Sequence, residues 1–477
     1  MQLELFKSVG PSFFKQGVFG DKRLEKRGLQ LVNSMLQGNT VVLNQLSNGQ
    51  AELKAYSSLL RNRKVNPEDI IGSAISRCKD LVVGRHVLVI NDTTQLNFER
   101  HCNYLDRHDE HLGPIGNNKD LGFFLHPGLV LDADQGLGLG FSYVKIWNRQ
   151  YNSPDRYARN YQRLPIEKKE SYRWIECGIA SKQHLKRAGH ITIIADRESD
   201  IYAEFVILPD EGTDLIIRSS QDRSLYGSDK RLYQELSESK CCGVYPLEIR
   251  ANKKGKRKGR SSTMEVRFTP VKIQKPKGQS KSLADYVSLY AIEAKESSLT
   301  TPLGENPICW RLLTTHPVTN LKQAQKIITW YAMRWQIELL FGTLKSSGLC
   351  IEASELETGK GLKNLCLIAM QVALKINQLT QGREREDVGA DTVFTKKEIV
   401  VLKAIQPQYE GRTDRQKNLY KPESLAWSAW IIARMGGWKS DLLQSKPGNK
   451  TMKIGLDKFN NICLGWYLKN TPTPETS

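Results

Sequence analysis

Residues 87–92 read VLVIND, and residues 191–196 read ITIIAD. Each segment is a short apolar run, typical of a buried strand, that is followed at once by an aspartate. Carboxylates at strand ends can converge at one edge of a sheet, where loops leave room for ligands. The two segments therefore predict a sheet that carries Asp92 and Asp196 at the same edge.

A third acid lies in a region that predicts one long helix, residues 320–345. Within it, Tyr331, Arg334, Glu338 and Lys345 fall on one helical face, at about 100° per residue. Glu338 could bind metal, while Arg334 and Lys345 could bind phosphate. The alternative is a ladder of surface ion pairs, which is the usual meaning of mixed charges on a helix.

Three carboxylates would form a set of hard oxygen ligands, which suit Mg²⁺ or Mn²⁺. Two such ions, about 3.5–4 Å apart, can activate a water or a 3′-hydroxyl for in-line phosphoryl transfer. We therefore expect Asp92, Asp196 and Glu338 to meet within a few ångströms. An acid far from the other two, or buried against a structural cation, would argue against this hypothesis.

The composition favours a polyanionic partner. Lys and Arg number 70 against 51 Asp and Glu, a formal net charge of +19, and nucleic acid is the commonest partner of such chains. No apolar run approaches the roughly 20 residues of a membrane span, and the N-terminal residues lack a secretory pattern. The nine cysteines are scattered without a CxxC pair, which is typical of reduced thiols in a cytoplasmic protein.

The first 70 residues predict helices. Asp21 is a plausible N-cap for a helix over residues 22–37, whose apolar residues recur at helical spacing. Its exposed face would carry Lys22, Arg23, Lys26 and Arg27. This basic face could grip a DNA backbone or could equally be a solvated surface.

Residues 220–300 interrupt the succession of apolar strand and helix segments and predict an inserted β hairpin with a basic loop. Between residues 251 and 282 there are eleven Lys or Arg and one Glu, so the loop would contact phosphate or act as a solubilising segment. The loop cations considered for DNA binding are Lys253, Lys254, Lys256, Arg257 and Lys258.

The sequence holds one candidate zinc cluster, formed by His101, Cys102, His108 and His111. Its spacing fits no standard structural zinc pattern, and a polar loop is the better interpretation. The region after residue 380 predicts further helices with Trp427, Trp430, Trp438 and Trp466, which fit either a buried interface or a small core.

The spacing Y-x2-R-x3-E-x6-K resembles the signature of the insertion-sequence-four group of bacterial DDE transposases. The DTT at residues 92–94 and the DRESD at residues 196–200 are similar to that family's other acidic elements. Residues 19–23 and 55–56 also resemble its DNA-binding domain. The resemblance covers most of the chain in the right order and is weakest after about residue 380.

The resemblance implies an α/β fold: an RNase H-like catalytic core, a mixed sheet flanked by helices, over residues 71–375, with the basic β insertion at about 220–300. A helical DNA-binding domain would occupy residues 1–70, and a helical dimerisation domain residues 376–477. The implied activity is metal-dependent DNA cleavage and strand transfer, with two Mg²⁺ or Mn²⁺ ions. The implied partners are double-stranded DNA and a second copy of the chain, in the cytoplasm and associated with the nucleoid.

Residue roles follow from the same resemblance. Asp92, Asp196 and Glu338 would bind the metals, and Tyr331, Arg334 and Lys345 would hold the phosphates of the transposon end. Trp310 would stack on a flipped base with Arg218 nearby, although Trp310 could equally be a core aromatic. Gly342 departs from the pattern, because the family has a lysine there.

Two other functions share part of this evidence. A different RNase H-like nuclease would share the acids without the Tyr-Arg-Glu-Lys pattern or binding to specific DNA ends. A non-catalytic DNA-binding regulator descended from a transposase would bind ends without cutting them, although all three acids are present here.

Overall fold

The strands of the protein form one large mixed sheet. We use a computed structural model that describes residues 13–38, 40–116, 119–151, 164–249, 251, 258–346, 348–439 and 446–469. Within these residues the strands are β1 His86–Asn91, β2 Thr94–Asn97, β3 Gly113–Ile115, β4 Asp120–Asp132, β5 Gly138–Trp147, β6 His190–Ala195, β7 Thr213–Arg218, β8 Cys241–Ile249, β9 Arg260–Gln274, β10 Tyr286–Glu296 and β11 Cys309–Thr314.

The order of the strands places the two aspartates together. The sheet runs β2-β4-β1-β6-β7-β11-β10-β9-β8, with β3 and β5 each paired to β4. Strand β1 is parallel to β6, with Ile90 opposite Ile194, and β6 is parallel to β7. Because parallel strands end at the same edge, the residues that follow β1 and β6 lie side by side.

The strands of the predicted insertion extend this sheet. Strand β10 pairs with β11, β9 with β10, and β8 with β9, all antiparallel. The predicted basic cluster falls between the end of β8 and the start of β9 in the sequence. Lys253, Lys254, Lys256 and Arg257 lie outside the described residues, whereas Lys258 is described and exposed.

α-Helices cover the sheet and lie near both ends of the described part of the chain. In the described residues they are α1 Lys22–Gln37, α2 Leu43–Leu46, α3 Gln50–Arg61, α4 Pro67–Leu81, α5 Tyr172–His184, α6 Tyr202–Ile207, α7 Leu232–Glu238, α8 Leu321–Ala332, α9 Trp335–Lys345, α10 Gly359–Gly382, α11 Lys396–Tyr409, α12 Leu425–Met435 and α13 Asn449–Lys469. None of these is long and apolar enough to cross a membrane.

The prediction of one uninterrupted helix over residues 320–345 is wrong. Helix α8 ends at Ala332 and α9 begins at Trp335. The Arg334 N–H donates to the Tyr331 carbonyl at 3.0 Å, and the Ile337 N–H to the Arg334 carbonyl at 3.2 Å. These bonds span three residues, so the chain tightens locally into a 3₁₀-like turn without leaving the helical region.

Helix α10 lies at the centre of the hydrophobic core. It is buried along almost its whole length, and it contacts α1, α3 and α4 as well as α9, α12 and α13. One continuous apolar cluster runs from Phe13 to Cys463 and includes residues of the sheet. The predicted domain boundaries at 70/71 and 375/376 fall inside α4 and α10.

Candidate active site

The two aspartates are held by the backbone at the strand ends. Asp92 directly follows β1, and its Oδ1 accepts a hydrogen bond from the Thr93 N–H at 2.7 Å. Asp196 directly follows β6, and its Oδ1 accepts from the Arg197 N–H at 2.7 Å. Each of these bonds fixes one carboxylate oxygen and leaves the second oxygen for other partners.

Those second oxygens, together with Glu338, surround the guanidinium of Arg334. Nη1 lies 3.1 Å from Asp92 Oδ2, and Nη2 lies 2.6 Å from Glu338 Oε1 and 3.7 Å from Asp196 Oδ2. The three acids come from the ends of β1 and β6 and from the first turn of α9. One planar cation thus brings together carboxylates that are distant in sequence.

The position of Arg334 differs from the phosphate-facing one expected for it. The residue is only 8% exposed, and its charge offsets part of the cost of burying the acids. Burial nevertheless raises the pKa of the Asp92 carboxyl to about 6, although the Thr93 N–H and Arg334 both act to lower it. The acids therefore occupy a site that favours a positive charge between them. Arg334 is the kind of cation that would argue against a metal site, but the side chains of Asp92, Asp196 and Glu338 are 25%, 32% and 36% exposed, so the acids themselves remain open to ions from solvent.

Two more predicted residues contact Asp196, and a third packs on one of them. The Tyr331 hydroxyl donates to Asp196 Oδ1 at 3.2 Å, and Arg218 Nη1 lies 4.0 Å from the same oxygen. The Trp310 ring meets the Tyr331 ring edge-on, with centroids 5.5 Å apart. Burial raises the pKa of Tyr331 to about 12, so its hydroxyl stays protonated and can donate at neutral pH.

Lys345 lies farther along α9. It is seven residues beyond Glu338, or about 10 Å at the rise of an α-helix. Its Nζ donates to the Gln95 carbonyl at 2.7 Å and lies 3.2 Å from Glu352 Oε1. In this structure Lys345 joins the end of α9 to β2 and does not touch the three acids.

A group behind Asp92 escaped the sequence analysis. Thr93 Oγ1 lies 2.9 Å from Nδ1 of the buried His126 and accepts a bond from Arg173 Nε at 2.9 Å. Arg173 also donates to Glu198 Oε2 at 2.8 Å. The segments that carry Asp92 and Asp196 are thereby connected through Arg173. No spacing in the sequence pointed to His126 or Arg173, because these contacts are distant along the chain.

The basic face of α1 is a separate feature. Lys22 and Arg23 are exposed, Lys26 and Arg27 are partly exposed, and Arg23 pairs with Asp21 at 3.3 Å. The helix packs on α3, α10 and α13.

The described residues contain one other cluster of metal-ligand side chains. The group of His, Cys, Asp or Glu found there with all ligand atoms within 4.8 Å of one another is His86, His190 and His316. The residues of the cluster at 101–111 do not form such a group. Nor do the three acids, because Arg334 stands between them.

A mixed sheet flanked by helices, with carboxylates at one edge, is consistent with an RNase H-like class of catalytic core. Residues 182–374 match the family model described as the transposase DDE domain. The matched segment contains Asp196 and Glu338 and begins after Asp92. The match supports a DDE transposase, a class of metal-dependent enzymes that act on DNA and generally use divalent metal ions.

Proposed function

We propose that the chain is a transposase of the insertion-sequence-four group, similar to the transposon-five transposase. It would bind inverted repeats at the ends of its element, cleave there and transfer the 3′-hydroxyl strand into target DNA. One observation carries the proposal: three carboxylates from distant segments surround a single cation at the edge of the sheet. The transposase DDE match over residues 182–374 supports it independently.

The chemistry of the acids fits divalent metal ions. Asp92, Asp196 and Glu338 would bind Mg²⁺ or Mn²⁺ through hard oxygen donors, and their environment already favours positive charge. Two such ions supply activated oxygen nucleophiles and stabilise a leaving oxygen. Ligands of a two-ion site are shared between ions about 3.5–4 Å apart. The three carboxylates of a two-ion site can therefore lie farther apart than three carboxylates that all bind the same ion.

Metal loading and DNA binding would change the partners of Arg334. Its guanidinium competes with metal ions for all three carboxylates. Once released, it can form a bidentate contact with a DNA phosphate beside the cut. Tyr331 would donate its hydroxyl near the same phosphate, and Lys345 would neutralise a phosphate farther along the strand. This exchange reconciles the resting contacts of Arg334 with the role that the resemblance implies.

The surroundings of Asp196 suit an extruded nucleotide. Trp310 and Arg218 lie on neighbouring strands, β11 and β7, close to the acids. Trp310 is partly exposed, and a base could stack on its ring, since stacking is tolerant of sequence. We propose that a flipped base binds there while a hairpin is formed and reopened at the transposon end.

The cations of α1 and of residues 253–258 would hold DNA over a wider surface. The chain would act as a homodimer in the bacterial cytoplasm. The C-terminal helices are the proposed dimer interface. Trp427 and Trp430 are buried within one protomer, whereas Trp466 is 37% exposed. An interface through these helices would therefore use Trp466 rather than the two buried rings.

The experiment uses supercoiled DNA that carries the element's ends, with Mg²⁺ and the full chain. The variants Asp92→Asn, Asp196→Asn and Glu338→Gln keep side-chain size and remove one charge each. Glu211→Gln is the control, an exposed carboxylate at the opposite end of β7. We expect each acid variant to lose at least about a hundredfold in cleavage rate, because loss of a ligand costs more than the 10–100-fold of an outer-shell change.

Equal rates for the acid variants and the control would show that the metal assignment is wrong. Cleavage that ignores the terminal repeats would favour a different RNase H-like nuclease. Specific binding of the ends without cleavage under Mg²⁺ or Mn²⁺ would favour a non-catalytic regulator.

A further inference from the structure

Three histidines converge at the edge of the sheet opposite the acids. His86 begins β1 and His190 begins β6, and the two are paired in register, while His316 follows β11. Their ligand atoms all lie within 4.8 Å of one another. Because a strand rises about 3.3 Å per residue, His86 lies about 20 Å from Asp92. The histidine cluster is therefore independent of the candidate active site and of its proposed function.

The ring nitrogens point at two shared atoms. Thr192 Oγ1 lies 2.8 Å from His86 Nε2 and 2.8 Å from His316 Nε2. Asp214 Oδ2 lies 2.8 Å from His190 Nε2 and 3.1 Å from His316 Nδ1. Three imidazoles, from two strand starts and one loop, are thus linked in one chain of contacts through the Thr192 hydroxyl and the Asp214 carboxylate.

We propose that His86, His190 and His316 bind one transition-metal ion of the zinc class, with Asp214 orienting the rings. Imidazole nitrogen suits Zn²⁺, Co²⁺ and Ni²⁺, whereas Mg²⁺ prefers oxygen. A carboxylate that hydrogen-bonds ligating histidines is the usual outer shell of such sites. Three protein ligands leave a fourth position for water or another ligand.

Metal binding requires the histidine side chains to move. Zinc–nitrogen bonds are about 2.0–2.1 Å long, so the nitrogens must move inward from their present spread. The side chains of His190 and His316 are 27% and 13% exposed, respectively. An ion can therefore reach His190 and His316 from solvent. Binding it would replace at least one contact of His316, whose two ring nitrogens face Thr192 and Asp214.

The surrounding charges are compatible with a bound cation. Those that act on His86 and His316 come from Asp214, Asp134 and Lys326, besides the neighbouring imidazoles. The Lys326 ammonium lies over the Trp330 ring, 4.5 Å from its centroid. The two carboxylates oppose the ammonium, whereas burial and the neighbouring imidazoles disfavour a positive charge here, a cost that the metal–nitrogen bonds must exceed.

Such an ion would connect the start of the parallel strands with the segment after β11. Binding only to the folded chain would raise the midpoint of thermal unfolding as the metal concentration rises. The alternative is a metal-free hydrogen-bond network that joins the same elements.

The test titrates the full-length, metal-stripped chain with Co²⁺ and, separately, with Zn²⁺. An Asp92→Asn background with excess Mg²⁺ keeps the acid site out of the measurement. The absorption spectrum of bound Co²⁺ distinguishes imidazole from cysteine ligands, and calorimetry gives the Zn²⁺ affinity. We expect one equivalent bound, without thiolate absorption, and a higher unfolding midpoint.

Variants locate the ion. His86→Asn and His316→Asn should each weaken binding by at least about a hundredfold, and Asp214→Asn by about 10–100-fold. His108→Asn, an exposed histidine elsewhere, should bind normally. The proposal is overturned if the parent chain binds no equivalent, or if binding persists in folded His86→Asn and His316→Asn. If those variants fail to fold without metal, the Asp92→Asn chain itself decides. A Co²⁺ spectrum without thiolate absorption and a higher unfolding midpoint support a bound ion, and the absence of both supports the metal-free network.

Discussion

Arg334 controls the charge balance of the candidate active site, because its guanidinium contacts Asp92, Asp196 and Glu338 at once. If it competes with metal ions for these oxygens, its removal must strengthen metal binding even as it weakens catalysis. Removal of a residue with a purely structural role would not strengthen metal binding while it slowed catalysis.

We therefore expect Arg334→Gln to bind Mn²⁺ about tenfold more tightly, the change that corresponds to ~1.4 kcal/mol, while it cleaves DNA more slowly. Mn²⁺ binding is measured by electron paramagnetic resonance on folded protein. Arg197→Gln is the control, since Arg197 is exposed next to Asp196. Weaker or unchanged Mn²⁺ binding in Arg334→Gln would contradict the competition.

Glu204 is a second residue whose burial has a measurable consequence. It is fully buried in α6, and its Oε2 accepts a hydrogen bond from Ser199 Oγ at 2.6 Å. Burial raises the pKa of Glu204 from 4.5 to about 8. Between these values the folded chain binds more protons than the unfolded chain, so this residue's contribution to stability falls as pH rises, by at most about 1.4 kcal/mol per pH unit.

The variant Glu204→Gln keeps the side-chain shape and removes this pH dependence. We expect it to be more stable than the parent chain near pH 8 and to lose that advantage near pH 4.5. Urea unfolding at both pH values measures the difference. The same difference at the two pH values would show that Glu204 is not the titrating group.

At the scale of elements, local patterns predicted the strands and caps well. The apolar runs at 87–90 and 191–195 became β1 and β6, with ends shifted by one residue or less. Asp21 caps α1 as predicted, accepting a hydrogen bond from the Arg23 N–H. These features depend on neighbouring residues, and the sequence contains that information directly.

Features that depend on distant contacts were not predictable. The break between α8 and α9 has neither proline nor glycine to mark it. The pairing of β10 with β11 makes the predicted insertion part of the main sheet, and no local pattern encodes that pairing. The sequence predicted that the three acids would meet within a few ångströms, but among the described residues they do not form a group whose ligand atoms could hold one ion. It did not predict that Arg334 would stand between them, and their metal-binding role remains a prediction.

Two glycines inside helices allow the effect of helix propensity on stability to be measured apart from the effect of packing. Gly342 in α9 has open space where a Cβ would stand, whereas a Cβ on Gly455 in α13 would lie 1.8 Å from the Ile432 carbonyl oxygen of α12. Gly342→Ala should raise the free energy of unfolding by about 0.5–1 kcal/mol. Gly455→Ala should lower it by about 1–3 kcal/mol, because backbone must move. Parallel thermal and urea unfolding of the pair checks both signs, and stabilisation by Gly455→Ala would contradict the close approach of α12 and α13.

For the whole molecule, the packing of the N-terminal helices relies on contacts with the central helix α10 and with the C-terminal helix α13. Asn364 of α10 donates its side-chain amide to the Leu60 and Val65 carbonyls at 2.9 and 3.0 Å. Lys453 of α13, only 1% exposed, donates to the carbonyls of Leu36 and Gly38 at the end of α1. The N-terminal helices thus have partners from α10 and from the C-terminal region.

Because the N-terminal helices share this core, we expect residues 1–70 not to fold as an isolated fragment. Tyr56, Leu59 and Leu60 are almost wholly buried, and α3 packs on α10, so the fragment would expose these side chains and leave helix-end carbonyls without their donors. Short helices without tertiary packing are marginal in water. We expect the fragment to show weak helical circular dichroism, poor amide dispersion and no cooperative thermal transition, whereas the full chain unfolds sharply. A sharp transition in the fragment would instead show that residues 1–70 fold on their own, and the contacts with α10 and α13 would then be docking contacts between separately stable units.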